Sequence, residues 1–193
     1  VIAPERSAAR DAAIDALLRS GGDAVWSLPA LRAVVGQDTE MLFPGGASDM
    51  VEAYADLMDR RMVTVVGPEL AGMRPSQRVR ALIRARLELA APHKEAVRRA
   101  VLMLCHPALG ARCTSRTVDV IWHAAGDRSA DFSWYSKRAI LAGVYSTTML
   151  FWLSGDTGID DALAFLDRRL TDVARLGRWR GRFAQMKRGG AAA

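Results

Sequence analysis

Apolar residues recur along this chain at the three-and-four spacing of helix faces, without the strict alternation of strands. Pro4 to Ser20 carries Ala9, Ala13, Ile14, Leu17 and Leu18 on one side and stops at Gly21-Gly22. Leu28 to Val35 predicts a short helix ending at Gly36, and Asp38 is placed to cap another through Phe43, halted by Pro44-Gly45-Gly46. Ser48 or Asp49 opens a longer helix whose face runs Met50, Tyr54, Leu57, Met58, Met62 and Val65, with Gly67-Pro68 at its end. Pro75-Ser76 begins a helix with Val79, Leu82, Ile83 and Leu87 inward and arginines interleaved. Pro92 separates it from the next, whose face is Val97, Ala100, Val101 and Leu104, closed by Pro107. Val118 to Ala125 reads as a brief helix, and Gly126 stands where a left-handed C-cap belongs. One long helix follows through Leu153; the chain turns at Gly155 to Gly158, and Ile159 to Leu176 forms a last long helix. The expected fold class is all-α.

This order divides into a helix-turn-helix-like unit over residues 1–46, a larger helical domain over 47–176 and a basic segment over 177–193. The block "GQDTEMLFPGG" sits where a tetracycline-repressor-type regulator carries its recognition helix, and the larger helical domain agrees with that architecture. A ligand-responsive transcriptional regulator is therefore the alternative reading. A DNA reader, however, grips phosphates and base edges with Arg, Lys, Asn or Gln. From Leu28 to Met50 the only cation is Arg32, against Asp38, Glu40 and Asp49. These acids repel the backbone they would have to grip, so the expectation is no DNA binding.

Charge enters unevenly. Of 193 residues, half are hydrophobic and a quarter charged, with a formal charge of +6. From Arg168 onward there are eight Lys or Arg and one acid, Asp172, a local balance of +7 that leaves −1 for everything before it. Basicity is thus a feature of the last segment, where "RWRGRFAQMKR" places Trp179, Phe183 and Met186 at i, i+4 and i+7, flanked by Arg180, Arg182 and Lys187. That is the composition of an interfacial amphipathic helix and predicts a membrane-surface contact; a solvated tail is the plain alternative. Ala139 to Gly155 is shorter than the ~20 residues a spanning helix needs and is diluted by Gly143, Ser146, Thr147 and Thr148, so it predicts a buried helix. No stretch has the make-up of a signal peptide.

Catalytic chemistry finds little footing. His93, His106 and His123 lack metal-ligand spacing, and Cys105 and Cys113 form neither a C-x-x-C motif nor a disulfide framework. There is no nucleophile elbow and no phosphate-cradling glycine loop. The expectation is a protein that is not an enzyme, with no metal and no cofactor beyond a bound lipid or quinone. Beyond Arg138 the long helix is apolar on almost every side, through Ile140, Leu141, Val144, Tyr145, Met149, Leu150, Phe151, Trp152 and Leu153, and such a helix is expected to be surrounded. Met58, Met62 and Met149, with Leu82, Leu104, Trp122, Leu141, Val144 and Tyr145, are the candidate lining of a lipid site. The same pattern fits a filled core.

The mouth of that helix is unusual. Asp131 and Ser129 are good caps, so Trp134 and Tyr135 fall in its first turn, about 100° apart, with Arg138 close behind both. Trp, Tyr and Arg are the residue types that dominate interface hot spots, although two rings can also simply seal a helix end. Together "LFPGGASDMV", "KEAVRRAVLML", "TVDVIWHAAGDRSADFSWYSKRAILAGVYSTTMLFWL" and "AFLDRRL" resemble the Coq-nine family of ubiquinone biosynthesis, from about Leu42 to about Val173. Ala130, Ser133 and Ser136 depart from the family signature by small exchanges that keep the spacing of Asp131, Phe132, Trp134, Tyr135 and Arg138. The resemblance implies a non-catalytic, tetracycline-repressor-like fold that commonly forms a homodimer and binds lipid or isoprenoid quinone. It also implies presentation of membrane-derived substrate to the diiron demethoxyubiquinone hydroxylase. The family's partner-facing patch maps onto Asp127, Asp131, Trp134, Tyr135 and Arg138. The expected location is peripheral, on the cytoplasmic face of a bacterial inner membrane or the matrix side of the mitochondrial one.

Overall fold

A computed structural model describes residues 3–20, 26–126 and 133–189, the side chains of 133, 134 and 176–189 excepted, and among the described residues the chain forms nine α-helices. They are α1 (Ala8–Arg19), α2 (Leu28–Val35), α3 (Thr39–Leu42), α4 (Gly46–Val66), α5 (Pro75–Ala90), α6 (Lys94–Leu104), α7 (Pro107–Ala124), α8 (Ser133–Leu153) and α9 (Ile159–Gly189). No strand occurs among the described residues. Ser7 caps α1 and Ser27 caps α2, each hydroxyl accepting from the backbone N–H three residues on. Gly36 ends α2 at φ +96°, and Gly126 ends α7 at φ +86°, where Arg78 reaches across to the Ala125 carbonyl at 3.1 Å. A Cβ on Gly126 would meet that guanidinium at 2.8 Å.

Helices α1–α3 form a small layer held on α4 by ion pairs. Arg10, buried on α1, donates to the Leu42 carbonyl, pairs with Asp49 at 2.5 Å and stacks over Phe43. Arg6 and Arg60 share Asp56, and Arg61 holds Asp15 at 2.6 Å. Breaking the buried Arg10 pair would strand a charge, a loss of about 3–5 kcal/mol. The main core is built on α4, which packs on α5 and α7, while α8 lies against α7 and α9. Met50, Met62, Leu82, Ile83, Ile121, Trp152 and Leu166 are fully enclosed there.

Several boundaries differ from the sequence expectation for physical reasons. The first half of α7, "PALGARCTSRT", carries small and polar residues and gives no apolar stripe, yet it is helical. Gly110 allows its tight corner with α6: a Cβ there would lie 2.2 Å from the Leu104 carbonyl oxygen. The expected break near Leu176 is absent, and α9 continues through the basic segment to Gly189. Val65 is exposed and Val66 takes the inward place. The long α8 is not surrounded: Ile140 and Leu150 are 43 % and 56 % exposed, and Ser136, Ala139, Gly143 and Thr147 share that open side.

Candidate functional site

Where α4, α5, α6, α7 and α8 meet, the core opens into a cavity of about 300 Å³, at the small end of the ~300–1,000 Å³ of ligand sites. Its walls are Val51, Tyr54, Ala55 and Met58 of α4, Val97, Ala100, Val101 and Leu104 of α6, and Tyr145, Ser146, Met149 and Leu150 of α8. The small residues Ala55, Ala90 and Ala100 make the space, because each leaves a gap where neighbouring helices carry larger side chains. Exposed Cys105, Pro107, Ala111 and Leu150 border the outer end, and buried Tyr54, Met58, Arg86 and Ala90 the inner.

Of the nine residues expected to line a lipid site, Met58, Leu104, Tyr145 and Met149 border this cavity. Met62, Leu82, Leu141, Val144 and Trp122 do not, which corrects that expectation. The first four of these are buried on helix faces turned to other neighbours, and the Trp122 indole N–H donates to the Lys137 carbonyl at 3.3 Å, tying α7 to α8. Periodicity marks an apolar face, but not which part of it meets a gap.

The inner wall carries a polar group that the sequence reading missed. Arg86, 5 % exposed, donates from Nε to the Tyr145 hydroxyl at 2.6 Å and from Nη1 to Asp59. Thr117 donates its hydroxyl to the other Asp59 oxygen at 3.0 Å. Burial pushes the Asp59 carboxyl up to about 6, against the pull of Arg86 and Thr117. Burial opposes the Arg86 charge, yet Asp59 and the two tyrosines outweigh it and raise its pKa, so the pair is ionised at neutral pH. A signal was available: Arg86 continues the stripe of Val79, Leu82 and Ile83 at i+7, i+4 and i+3, so a charge stands in phase with the core.

Asp59 borders a second, broader concavity of about 810 Å³, lined by Arg6, Asp56, Arg60, Asp119, His123 and Arg138 together with Val63, Val120 and Ala124. Arg138 donates to Asp119 of α7 at 2.5 Å. Tyr135, in the first turns of α8, is 69 % exposed. Trp134 stands beside it on the helix, with its side chain outside the described residues, as are Asp127 and Asp131 altogether. Tyr135 and Leu150 are fifteen residues apart on α8, so the aromatic patch and the cavity mouth are separated by about 22 Å. Trp179, Arg180, Arg182, Phe183, Met186 and Lys187 fall on the last turns of α9, and their side chains too lie outside the described residues.

Among the described residues no helix is long and apolar enough to cross a membrane, and no cluster of three or more His, Cys, Asp or Glu is placed to hold a metal. The helix-turn-helix layer is poorly equipped for DNA. Its α3 is only four residues long, Glu40 and Met41 are its exposed side chains, and Arg32 is paired to Glu40.

Comparison with known proteins gives three kinds of likeness. A family profile described as COQ9 matches residues 108–177. The "Ubiquinone biosynthesis protein COQ9, mitochondrial" of Homo sapiens is 39 % identical over 106 residues, 52 % of this chain and 33 % of that protein. Its Xenopus tropicalis counterpart is 30 % identical over 148 residues, 70 % of this chain and 47 % of its own length. The chain therefore spans between a third and a half of these relatives. A TetR transcriptional regulator from Nitrosomonas europaea superposes with a TM-score of 0.68 at 23 % identity, covering 86 % of this chain and 97 % of that one, a likeness of fold.

Proposed function

The chain belongs to the COQ9 family, and from that premise we propose that it acts in ubiquinone biosynthesis as a non-catalytic carrier of lipid or isoprenoid quinone. The observation that carries the reading is the apolar cavity with an exposed mouth between α6, α7 and α8. Burying an isoprenoid tail stabilises by ~0.8 kcal/mol per CH₂-sized group, so a short length of chain suffices for useful affinity. The partner in this reading is the diiron demethoxyubiquinone hydroxylase, docked on the α8 entrance at Tyr135, with Asp127, Asp131, Trp134 and Arg138 contributing. The exposed Tyr135 ring, on the same helix as the half-buried Arg138, supports that assignment.

Two further elements belong to the reading. The open side of α8, with Ile140 and Leu150 exposed among small residues, serves a homodimer, since small side chains let a second helix approach closely. The basic end of α9 holds the protein on the inner face of a quinone-bearing membrane, bacterial or mitochondrial, as a peripheral protein. Regulation of DNA is the weaker reading, disfavoured by the acidic four-residue α3. Lipid analysis of the purified protein, joined to capture of the hydroxylase, tests the whole. Co-purifying quinone or phospholipid and retained hydroxylase are expected; clean protein that captures nothing refutes it.

A further inference from the structure

The cavity wall is mostly apolar, with hydroxyls at Thr114 and Ser146, and Arg86 is the only charged side chain that borders it among the described residues. Asp59 has both oxygens engaged, one by Arg86 and one by Thr117, so it offers a ligand little. Arg86, by contrast, uses only Nε and Nη1; among the described residues Nη2 makes no hydrogen bond, and Arg86 borders the cavity. The Tyr54 hydroxyl on the same wall likewise has no hydrogen-bond partner among the described residues. Tyr145 accepts from Arg86 and keeps its own proton to give. Several donors therefore surround the inner end, and the one carboxylate beside them is already engaged at both oxygens.

The charge at this spot is already balanced. The Arg86 guanidinium is matched by Asp59, the only carboxylate it pairs with among the described residues. A ligand carboxylate or phosphate placed there would face Asp59 at close range without a free positive charge to offset it. A neutral oxygen acceptor gains the spare N–H and O–H donors and meets no repulsion.

Resting on the carrier reading above, we propose that Arg86, with Tyr54 and Tyr145, is a head-group anchor, and that the cavity takes a neutral, carbonyl-bearing amphiphile head first. The carbonyl oxygen accepts from Arg86 Nη2 and a tyrosine hydroxyl, while the tail leaves past Leu150. In this orientation the head lies against Arg86, whose ion-pair partner Asp59 borders the second concavity with Arg138 and Asp119.

Calorimetric titration of the full chain at neutral pH tests this with three probes: decylubiquinone, decylbenzene and myristate. Decylubiquinone is expected to bind at least about tenfold more tightly than decylbenzene, and more tightly than myristate. Arg86→Met and Tyr54→Phe should each erase most of the quinone's advantage while leaving decylbenzene affinity unchanged. Tyr54→Phe removes a single hydroxyl, so it keeps the test open if Arg86→Met does not fold. An advantage that survives both substitutions, or equal binding of quinone and hydrocarbon, overturns the anchor and leaves the carrier reading standing. Preference for myristate overturns the neutral-head assignment. Failure of all three probes to bind overturns the carrier reading and the anchor together.

Discussion

Ala100 is 3 % exposed, faces the cavity from α6, and is the position where a filled core and a ligand site part company. Replacing it by Phe adds a ring. In a close-packed interior such an insertion forces neighbours off their rotamers and costs about 1–3 kcal/mol. Here the ring has about 300 Å³ to enter. Burying it there contributes ~1.5–3 kcal/mol of transfer free energy, so the two terms offset and the sign can even reverse. Ala100→Phe should therefore leave the urea midpoint unchanged or raised at an unaltered m-value, while abolishing lipid co-purification. The assay is a urea melt read by tryptophan fluorescence beside extraction and lipid analysis of the same preparation. A drop of more than about 2 kcal/mol with lipid content unchanged would show that α6 packs against solid core and that the ligand, if any, sits elsewhere.

Other predictions follow from single features. Tyr135→Lys, at a position 69 % exposed, should move stability by less than ~0.5 kcal/mol yet weaken hydroxylase capture by an order of magnitude or more; unchanged capture removes the patch. Asp59 has its pKa raised to about 6 by burial, so the folded state takes up a proton before the unfolded chain does. Its ionised form is a liability that is full above about pH 6 and relieved as pH falls toward 4, worth about 3 kcal/mol at most. Asp59→Asn should remove that acid-side gain from a pH series of urea melts. Asp56 acts in the opposite sense: burial notwithstanding, Arg6 and Arg60 hold it below the usual carboxylate range, so its contribution is lost as pH falls through its lowered pKa. Removal of residues 177–193 takes away five cations, each worth ~1 kcal/mol near anionic lipid, and should abolish salt-sensitive flotation with anionic vesicles; equal flotation of both forms ends the role of the tail.

How far the sequence alone carries the fold depends on whether a residue's role is local. Helix α2 and the C-cap at Gly126 were legible because capping serines, prolines and left-handed glycines act within a few residues. The first half of α7 was not, since its small residues matter only through the approach of α6 at Gly110, a contact between separate segments. The site divides in the same way. Met58, Leu104, Tyr145 and Met149 lie on apolar faces that periodicity reveals, but so do Met62 and Leu82, and only the three-dimensional gap separates the two groups. Arg86 and Asp59 are 27 residues apart; the phase of Arg86 hints at burial, but its pairing with Asp59 exists only in the folded bundle. The open side of α8 was misjudged because its apolar composition says how much surface needs cover, not whether this chain or another supplies it.

Native mass spectrometry of the full chain, purified without detergent from a quinone-producing host, tests the central claim most directly. The account predicts a protein mass accompanied by a bound neutral lipid or quinone, displaced when decylubiquinone is added. A bare polypeptide mass under gentle ionisation, with no adduct formed on adding decylubiquinone or decylbenzene, would contradict it.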